Sequence, residues 1–427
     1  MSKAPSPAMR RSAAPLARYL RPALLVLAAL LGLPAARAQQ GALLPASPAA
    51  PADERLRDFA YLDSLVMALA AQYRWAALDS VGRRALALGT DYPGLRRRLG
   101  QAALAREQPA QALRHYGRAL RENPVDTTAR YGLALAYLAL NQPGPAALVA
   151  RYLPDSLRGP LHLRGFQALT RVELEGSAQW PGSIHRGPAG FGRLGLGTRL
   201  SPRLSLTQNL SYFGQTIELP APFRRRMGEQ YPIRQTQYHV LLEGQLAPRW
   251  RALAGLHLLR SDFGGLSSRG GLLGYAALAY ARPYWQAQVG VFAGTLTDTA
   301  RLQADLRLTV YPLGSLRFYA YGRASVVRSG GRNFPTGVLG AGGRLHRALW
   351  LDGYGSLGLA PVLAELDGTY VYNLFDPIRA RAGANLLILL SRPLSLRLSY
   401  GAEQRRDAIN GRPYPLHSLS TTLAWTW

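Results

Sequence analysis

The side chains that carry most enzyme chemistry are sparse in this sequence and are not grouped. Cysteine is absent, which excludes a thiol nucleophile, an iron–sulfur cluster and cysteine-ligated zinc. The seven histidines include no pair at metal-ligand spacing and no H-E-x-x-H segment. His239 and His417-Ser418 are the candidates on predicted strands, without a recognisable motif, and no lysine follows the glycines of Gly337–Gly343. We therefore expect no catalytic, cofactor-binding or metal-binding residues.

The charge of the chain argues against a nucleic-acid partner. The 427 residues include 51 basic and 24 acidic side chains, a formal charge of +27, and every basic residue except Lys3 is arginine. Residues 39–160 hold 15 arginines and 10 acids (+5), whereas residues 161–427 hold 30 arginines and 14 acids (+16). Because the charge is spread through the C-terminal two-thirds and not gathered in a tail, we expect no nucleic acid to bind.

The first 38 residues have the order of a secretory signal peptide. A basic stretch precedes the apolar run Ala23–Leu33, and Ala36-Arg37-Ala38 forms an A-x-A cleavage site. An uncleaved anchor is the alternative, but eleven apolar residues fall short of the ~20 that a membrane-spanning helix needs. Residues 39–52 are rich in alanine and proline and are expected to form a linker.

Residues 53–157 have helical periodicity, and their best segment resembles a tetratricopeptide repeat. The family's 34-residue pattern asks for Leu-Gly, then small and aromatic residues, then a closing proline. These places are taken by Leu99, Gly100, Ala112, Tyr116, Ala119 and Pro124. A second match, 34 residues on, lacks the proline. The resemblance implies a surface that docks an unknown periplasmic protein, and a plain spacer is the alternative.

After a linker at 158–168, residues 169–427 alternate between apolar and polar side chains. In Ala300–Tyr311, leucine, alanine and valine occupy one face and charged or polar residues the other. Alternation over ~10 residues between turns is typical of a transmembrane β-barrel. Six short turns alternate with seven longer connections, interpreted as outer loops, which include 261–270, 329–335 and 361–377. Together they predict 14 antiparallel strands with both termini at the periplasmic end. A separate strand pair at Gly368–Phe375, within the connection 361–377, would raise the number to 16.

The last strand carries the most specific feature. One face holds Leu419, Thr421, Leu423, Trp425 and Trp427, and the chain ends on the aromatic residue. This pattern resembles the terminal β-signal of bacterial outer-membrane proteins, which implies recognition by the barrel-assembly machinery and a place in the outer membrane of a Gram-negative cell. A soluble all-β domain with one apolar face is the alternative.

Arginines recur on the face predicted to point inward. These candidate lumen charges are Arg307, Arg317, Arg323, Arg379, Arg381, Arg397 and Arg405. They would favour anions in an open lumen, or pair with Glu173, Glu175, Glu243, Asp305, Asp352 and Glu403 in a filled one. Arg224–Arg226, in the longest predicted loop, would suit the phosphates of lipopolysaccharide; a solvated loop is the alternative.

The fold class is therefore α plus transmembrane β: a short periplasmic repeat domain followed by an outer-membrane barrel. The layout resembles the YaiO-type barrels and, more distantly, exopolysaccharide secretins. We expect a non-enzymatic membrane protein, in contact with outer-membrane lipids and lipopolysaccharide, whose repeats dock a partner. A channel or export pore for anions or polysaccharide is the first alternative, and a lipid-modifying enzyme, as known among such barrels, is the second.

Overall fold

The computed structural model describes residues 54–163, 165–218, 230–264, 267–296 and 299–427. The predicted signal peptide, the linker 39–52 and the Arg224–Arg226 group lie outside these ranges. Within the described residues, no helix combines the length and the apolar character needed to cross a bilayer.

The described N-terminal part folds into a 3₁₀ turn and seven helices. They are the turn Arg55–Arg57, α1 Phe59–Ala71, α2 Trp75–Ala87, α3 Pro93–Ala105, α4 Pro109–Glu122, α5 Thr127–Ala139, α6 Pro143–Ala150 and α7 Asp155–Arg158. Their starts follow from the sequence. Asp58 and Asp126 accept the backbone N–H groups of Tyr61 and Ala129, which caps α1 and α5. Proline occupies the first position of α3, α4 and α6, where its missing N–H leaves no bond unmade.

The helices pack as antiparallel pairs around small residues. Tyr116 of α4 lies between Gly100 of α3 and Gly132 of α5. A Cβ built on Gly100 would come within 2.8 Å of the Tyr116 ring, and one on Gly132 within 2.2 Å. Glycine is therefore needed at both positions to let three consecutive helices close on one aromatic ring.

The C-terminal part is a closed barrel of 14 antiparallel strands, as predicted. The strands are β1 Gln167–Pro181, β2 Arg186–Ser201, β3 Leu204–Glu218, β4 Gln230–Ala247, β5 Trp250–Phe263, β6 Ser267–Ala281, β7 Trp285–Leu296, β8 Thr299–Val310, β9 Phe318–Ser329, β10 Arg332–His346, β11 Leu349–Glu365, β12 Tyr370–Leu389, β13 Leu394–Arg406 and β14 Pro413–Thr426. Each strand pairs with the next, and β1 pairs with β14 to close the wall. Residues 361–377 lengthen β11 and β12 and add no wall strand.

The two faces of the wall have opposite chemistry. On β8, Leu302, Leu306 and Leu308 are 46–52% exposed on the outside, while Gln303 and Thr309 are buried inside. Apolar side chains exposed around a closed barrel with a polar interior are the reverse of a soluble protein, and match a wall that faces lipid.

The difference between short and long connections is smaller than the sequence suggests. The predicted loop 329–335 shrinks to Gly330-Gly331 between β9 and β10, both at positive φ (54° and 76°). Two residues with positive φ form the tight hairpin turn that suits the twist of paired strands. The predicted loop 261–270 is likewise taken up largely by the ends of β5 and β6. In this part of the barrel, most residues predicted to lie in loops instead extend the strands.

The helices lie against the end of the barrel at which β1 begins and β14 ends, here called the repeat-side end. The amide of Ala110 donates to the carbonyl of Gly314 at 3.2 Å, and His162 O accepts from Arg199 Nη1 at 2.8 Å. Glu107, in the α3–α4 turn, pairs with Arg344 of β10. Backbone and side-chain contacts thus fix the repeats to the rim of the barrel.

Candidate functional site: a hairpin inside the lumen

The connection between β11 and β12 folds into the barrel. The two strands pair without a break from Leu349↔Ile388 to Leu357↔Ala380, and the register then shifts twice before Val362↔Asn373. Three further pairs lead to Glu365↔Tyr370 and to a tip at Leu366–Gly368. Bulges of this kind bend a strand out of its sheet. We call residues 362–373 the lumen hairpin.

The tip of the lumen hairpin is conformationally strained. Leu366, Asp367 and Gly368 all have positive φ, at 47°, 58° and 90°. Glycine tolerates this region and aspartate visits it, but leucine does so at a cost. A backbone in this conformation persists where surrounding contacts hold it in place, and the tip makes many such contacts.

Asp367 is the most densely contacted residue of the tip. Its carboxylate accepts from Tyr275 Oη of β6 at 2.8 Å and from Gln288 Nε2 of β7 at 2.7 Å. Arg307 Nη2 of β8 lies 3.5 Å from the same oxygen. Three neighbouring strands therefore hold one carboxylate in the lumen.

Two histidines hold the backbone of the tip. His239 Nε2 lies 3.1 Å from Asp367 O, and His257 Nδ1 lies 2.8 Å from Gly368 O, so each ring nitrogen must donate. The ring centroids are 5.8 Å apart.

The hydrogen-bond network assigns the tautomer of His239. Arg193 Nη1 donates to Asn209 Oδ1 at 2.7 Å, which turns the amide nitrogen of Asn209 toward His239 Nδ1 at 3.1 Å. His239 Nδ1 must then accept, so the ring is neutral with its proton on Nε2. The candidate catalytic histidine is thus used to hold the hairpin.

The two sides of the hairpin meet different walls of the barrel. Gln303 of β8 makes paired bonds with Ala364, donating to its carbonyl at 2.8 Å and accepting from its amide at 3.0 Å. Ala364 and Val371 also join an apolar cluster with inward residues of β5–β7, namely Leu253, Leu259, Leu273, Tyr275, Ala279, Phe292 and Leu296. On the opposite wall, Tyr370 Oη donates to Glu175 of β1. The hairpin therefore spans the lumen.

A chain of buried ions runs from the hairpin along the wall. Glu365 lies 2.8 Å from Arg381 Nη1, and Arg381 Nε lies 2.8 Å from Glu403. Glu403 also binds Arg405 at 2.7 Å, and Arg323 binds Asp305 at 2.8 Å. Buried charges need such partners because desolvation is costly.

Four of the seven predicted lumen arginines have carboxylate partners inside the barrel. Arg307, Arg323, Arg381 and Arg405 have the partners just described. Arg397 is exposed on the inward face of β13, across from the buried Thr422. It makes no ion pair within 4.0 Å among the described residues, but its charge acts on Glu173 and Asp352.

Two of the predicted lumen arginines lie elsewhere. Arg379 occupies the bulge between the pairs Ile378↔Arg405 and Ala380↔Gln404 and is exposed. Arg317 is a correction, because it precedes β9 at the rim and its Nε lies 3.8 Å from Glu107 of the repeats. The alternation of the neighbouring strand does not continue into a turn that meets another domain.

The structure places the repeat signature at helix contacts. Leu99, Ala112 and Ala119 are fully buried, Tyr116 is buried against Gly100, and Pro124 follows the end of α4 at Glu122. Docking of a partner at these repeats stays a prediction.

The C-terminal face is arranged as the β-signal pattern requires. Leu419, Leu423 and Trp425 project outward from β14, 41–51% exposed, and the rings of Trp425 and Trp427 are 6.0 Å apart at the repeat-side end. Recognition by the assembly machinery stays a prediction.

The other candidate residues for chemistry are separated. His417 points outward and contacts Tyr400 Oη at 2.8 Å, whereas Ser418 points inward toward Gly401 O. Adjacent strand residues face opposite sides, so the two side chains cannot act on one substrate. Gly337–Gly343 lies within β10. Within the described part of the chain, no three histidine, aspartate or glutamate residues are grouped for a metal ion.

Sequence reasoning missed the hairpin and the residues that hold it. Asp367 and Glu365 fall in a segment interpreted as an outer loop, and Tyr275, Gln288 and His257 are ordinary inward positions of their strands. The one available signal was the length of the connection 361–377 together with its apolar residues, which an exposed loop does not need.

Comparisons with known proteins agree with this architecture. A family model described as Tetratricopeptide repeat matches residues 103–158. Among curated proteins no sequence matches the chain.

Several solved structures are similar to the barrel. The toluene transporter TodX of Pseudomonas putida has 8% identity and a TM-score of 0.42, covering 65% of this chain and 91% of that one. The CymD monoaromatic hydrocarbon channel has 10% identity and a TM-score of 0.44, covering 61% and 89%. A bacterial polysaccharide outer membrane secretin has 12% identity and a TM-score of 0.38, covering 61% and 99%.

The closed 14-stranded wall with apolar residues outside and the repeat match ahead of it lead to one description. The chain combines N-terminal tetratricopeptide-like repeats with a closed β-barrel whose fold resembles that of outer-membrane proteins.

Proposed function

We propose that the protein is an outer-membrane channel that is closed at rest by its own lumen hairpin. The observation that carries this proposal is that a single segment, residues 362–373, crosses the lumen and contacts inward side chains of β1 and of β4–β9. Removing that one segment from its place would open the path.

The width of the barrel supports this function. Wall side chains can fill a barrel of about 8 strands, whereas barrels of 16–18 strands leave an aqueous channel. Fourteen strands lie near the wide end of that range, so this lumen needs an additional element to close it. The hairpin is that element, and it is covalently continuous with the wall only at its base.

The nature of the contacts supports movement of the hairpin. Its tip is held by hydrogen bonds and ion pairs to side chains, not by ladder bonds with the wall strands. Each such bond contributes about 0.5–3 kcal/mol net, because water replaces the partner on opening. A hairpin with a strained tip and exchangeable contacts can leave its place without unfolding the barrel.

We further propose that the repeat-side end faces the periplasm. The support is the placement of both barrel termini and all the contacts with the repeats at this end, since outer-membrane barrels keep their short turns on the periplasmic side. Solutes would then leave the lumen beside the repeats.

Conductance in planar bilayers tests the channel. We expect brief, infrequent openings from the full chain, and sustained conductance from a variant in which residues 363–372 are replaced by Asn-Gly. Replacing only the exposed Leu366 by alanine is the matched control and should leave the wild-type pattern. A shortened variant that is folded, as judged by its heat-sensitive mobility on gels, yet passes no current would overturn the proposal.

A further inference from the structure

A polar cavity lies beneath the lumen hairpin at the repeat-side end. It has a volume of about 70 Å³, is partly open, and lies between residues Asn141–Pro145, at the α5–α6 turn and the start of α6, and the adjoining ends of β4–β8. We call it the vestibule. Because its walls come from both the repeats and the barrel, neither part forms it alone.

The vestibule is lined mainly by donors. Arg249, Arg251 and Arg307 face it, and among the described residues that line it the single carboxylate is Glu243. Glu243 lies 3.3 Å from Arg251 Nη1, which leaves two of the three guanidinium groups without a carboxylate from the lining. Amide side chains, among them Gln286 and Gln288, complete the wall.

The roof of the vestibule connects it with the hairpin. Arg307 and Gln288 line the cavity and also contact the Asp367 carboxylate, at 3.5 Å and 2.7 Å. Arg251 lies within electrostatic reach of the same carboxylate. The Asp367 carboxylate therefore lies at the roof of the vestibule. There it contacts two of the donor side chains that line the cavity.

We propose that the vestibule binds a small oxyanion, a carboxylate or phosphate, which competes with Asp367 for Arg307 and Gln288 and so releases the hairpin tip. This proposal rests on the channel function above. Oxyanions fit because a guanidinium fork and amide donors match their geometry, whereas chloride presents a single centre.

Competition with Asp367 determines which state of the hairpin the anion favours. An anion favours opening only if it binds the open state more tightly than the closed state. That condition holds here because Asp367 occupies the donors in the closed state and repels a second negative charge nearby. A solute of this class would then weaken the contacts that close the channel through which it passes.

Hydrogen exchange of the full chain in detergent tests this proposal with inorganic phosphate as the probe. At equal ionic strength, phosphate in place of chloride should speed exchange of peptides covering 363–372 by about tenfold. In Asp367→Asn, exchange should be fast without phosphate and insensitive to it. In Arg249→Gln, the phosphate concentration for half the effect should rise about threefold or more.

A matched charge change identifies the role of the cavity. Arg392 lies in the β12–β13 turn at the same end, outside the vestibule, and Arg392→Gln should respond to phosphate as the wild type does. An equal shift in Arg392→Gln and Arg249→Gln would overturn the proposal, because it would show general screening. Unchanged or slower exchange in phosphate would also overturn it.

The two proposals fail separately. If phosphate leaves exchange unchanged while the shortened-hairpin variant conducts, the channel stands and the oxyanion site is lost. If that variant is silent, the channel is lost, and the exchange experiment still decides whether an oxyanion displaces Asp367.

Discussion

Tyr275 Oη donates a hydrogen bond of 2.8 Å to the carboxylate of Asp367, which joins the barrel wall to the tip of the lumen hairpin across 92 residues of sequence. Gln288 Nε2 contacts both groups, at 2.9 Å from the tyrosine oxygen and 2.7 Å from the carboxylate. The three side chains form a compact hydrogen-bonded group inside the lumen, here called the latch, that joins β6 and β7 to the hairpin.

Removing the tyrosine hydroxyl should loosen this latch. A hydrogen bond to a charged acceptor contributes about 1.5–3 kcal/mol, so Tyr275→Phe should raise the open population of the tip about tenfold or more. Exchange rates of peptides covering 363–372, and the frequency of channel openings, measure it. Tyr212→Phe removes a hydroxyl from the outer face of β3, where the side chain is 50% exposed, and should change neither. Equal behaviour of the two variants would contradict the role of the latch.

The ion pair between Arg186 and Asp376 should contribute strongly to the stability of the barrel at the end opposite the repeat-side end. Their side chains are 4% and 3% exposed and bond twice, at 2.7 Å and 2.8 Å. Removing one partner of a buried pair leaves the other charge without a partner and lowers the free energy of unfolding by about 3–5 kcal/mol. Arg186→Met should therefore lower the urea midpoint strongly. Tryptophan fluorescence in detergent follows this transition.

The control for this pair is an exposed one. Arg171, 46% exposed, pairs with Glu173, and an exposed pair contributes about 0–1 kcal/mol. Arg171→Met should therefore leave the midpoint nearly unchanged. A similar loss in both variants would mean that burial does not decide the effect.

The repeats should be sensitive to one methyl group at Gly132. The added Cβ would lie 2.2 Å from the Tyr116 ring, and overpacking of this kind costs about 1–3 kcal/mol. Gly117, on α4, has no atom within 4 Å of the corresponding Cβ, so Gly117→Ala should stabilise its helix by about 0.5–1 kcal/mol. Thermal loss of the helical circular dichroism compares the variants. A lower midpoint in Gly117→Ala than in Gly132→Ala would contradict the packing around Tyr116.

The repeats should also lose stability in acid. Burial, with the charges of Arg96 and Arg114, lowers the pKa of His115 to about 4. The folded state then binds the proton less readily than the unfolded chain, whose histidine has a pKa near 6.5. Stability that is complete above pH 6.5 should therefore fall by roughly 2 kcal/mol as the pH approaches 4.

Hydrogen exchange of α4 peptides between pH 7 and pH 4.5, corrected for intrinsic rates, measures this loss. His115→Gln cannot take up the proton and should flatten the dependence. If the variant and the wild type lose protection in parallel, His115 is not the group responsible.

The wall of the barrel could be predicted from local pattern. In a strand, side chains alternate between two faces, so the leucines of β8 and the aromatic end of β14 reveal which face meets lipid without knowledge of any neighbour. The strand number followed, because turns mark the end of each segment. Loop lengths were predicted less well, since strands such as β9 and β10 continue to the glycines that join them.

The sequence by itself determined a repeat-bearing barrel with arginines inside, because periodicity and composition are local properties. Only the tertiary structure decided that residues 362–373 enter the lumen. Pairing of β11 with β12 is the same whether their hairpin points outward or inward. The choice depends on partners such as His239, 128 residues from Asp367, whose contacts no local pattern encodes. For the same reason Arg307 reaches the hairpin while Arg317, ten positions on, reaches the repeats.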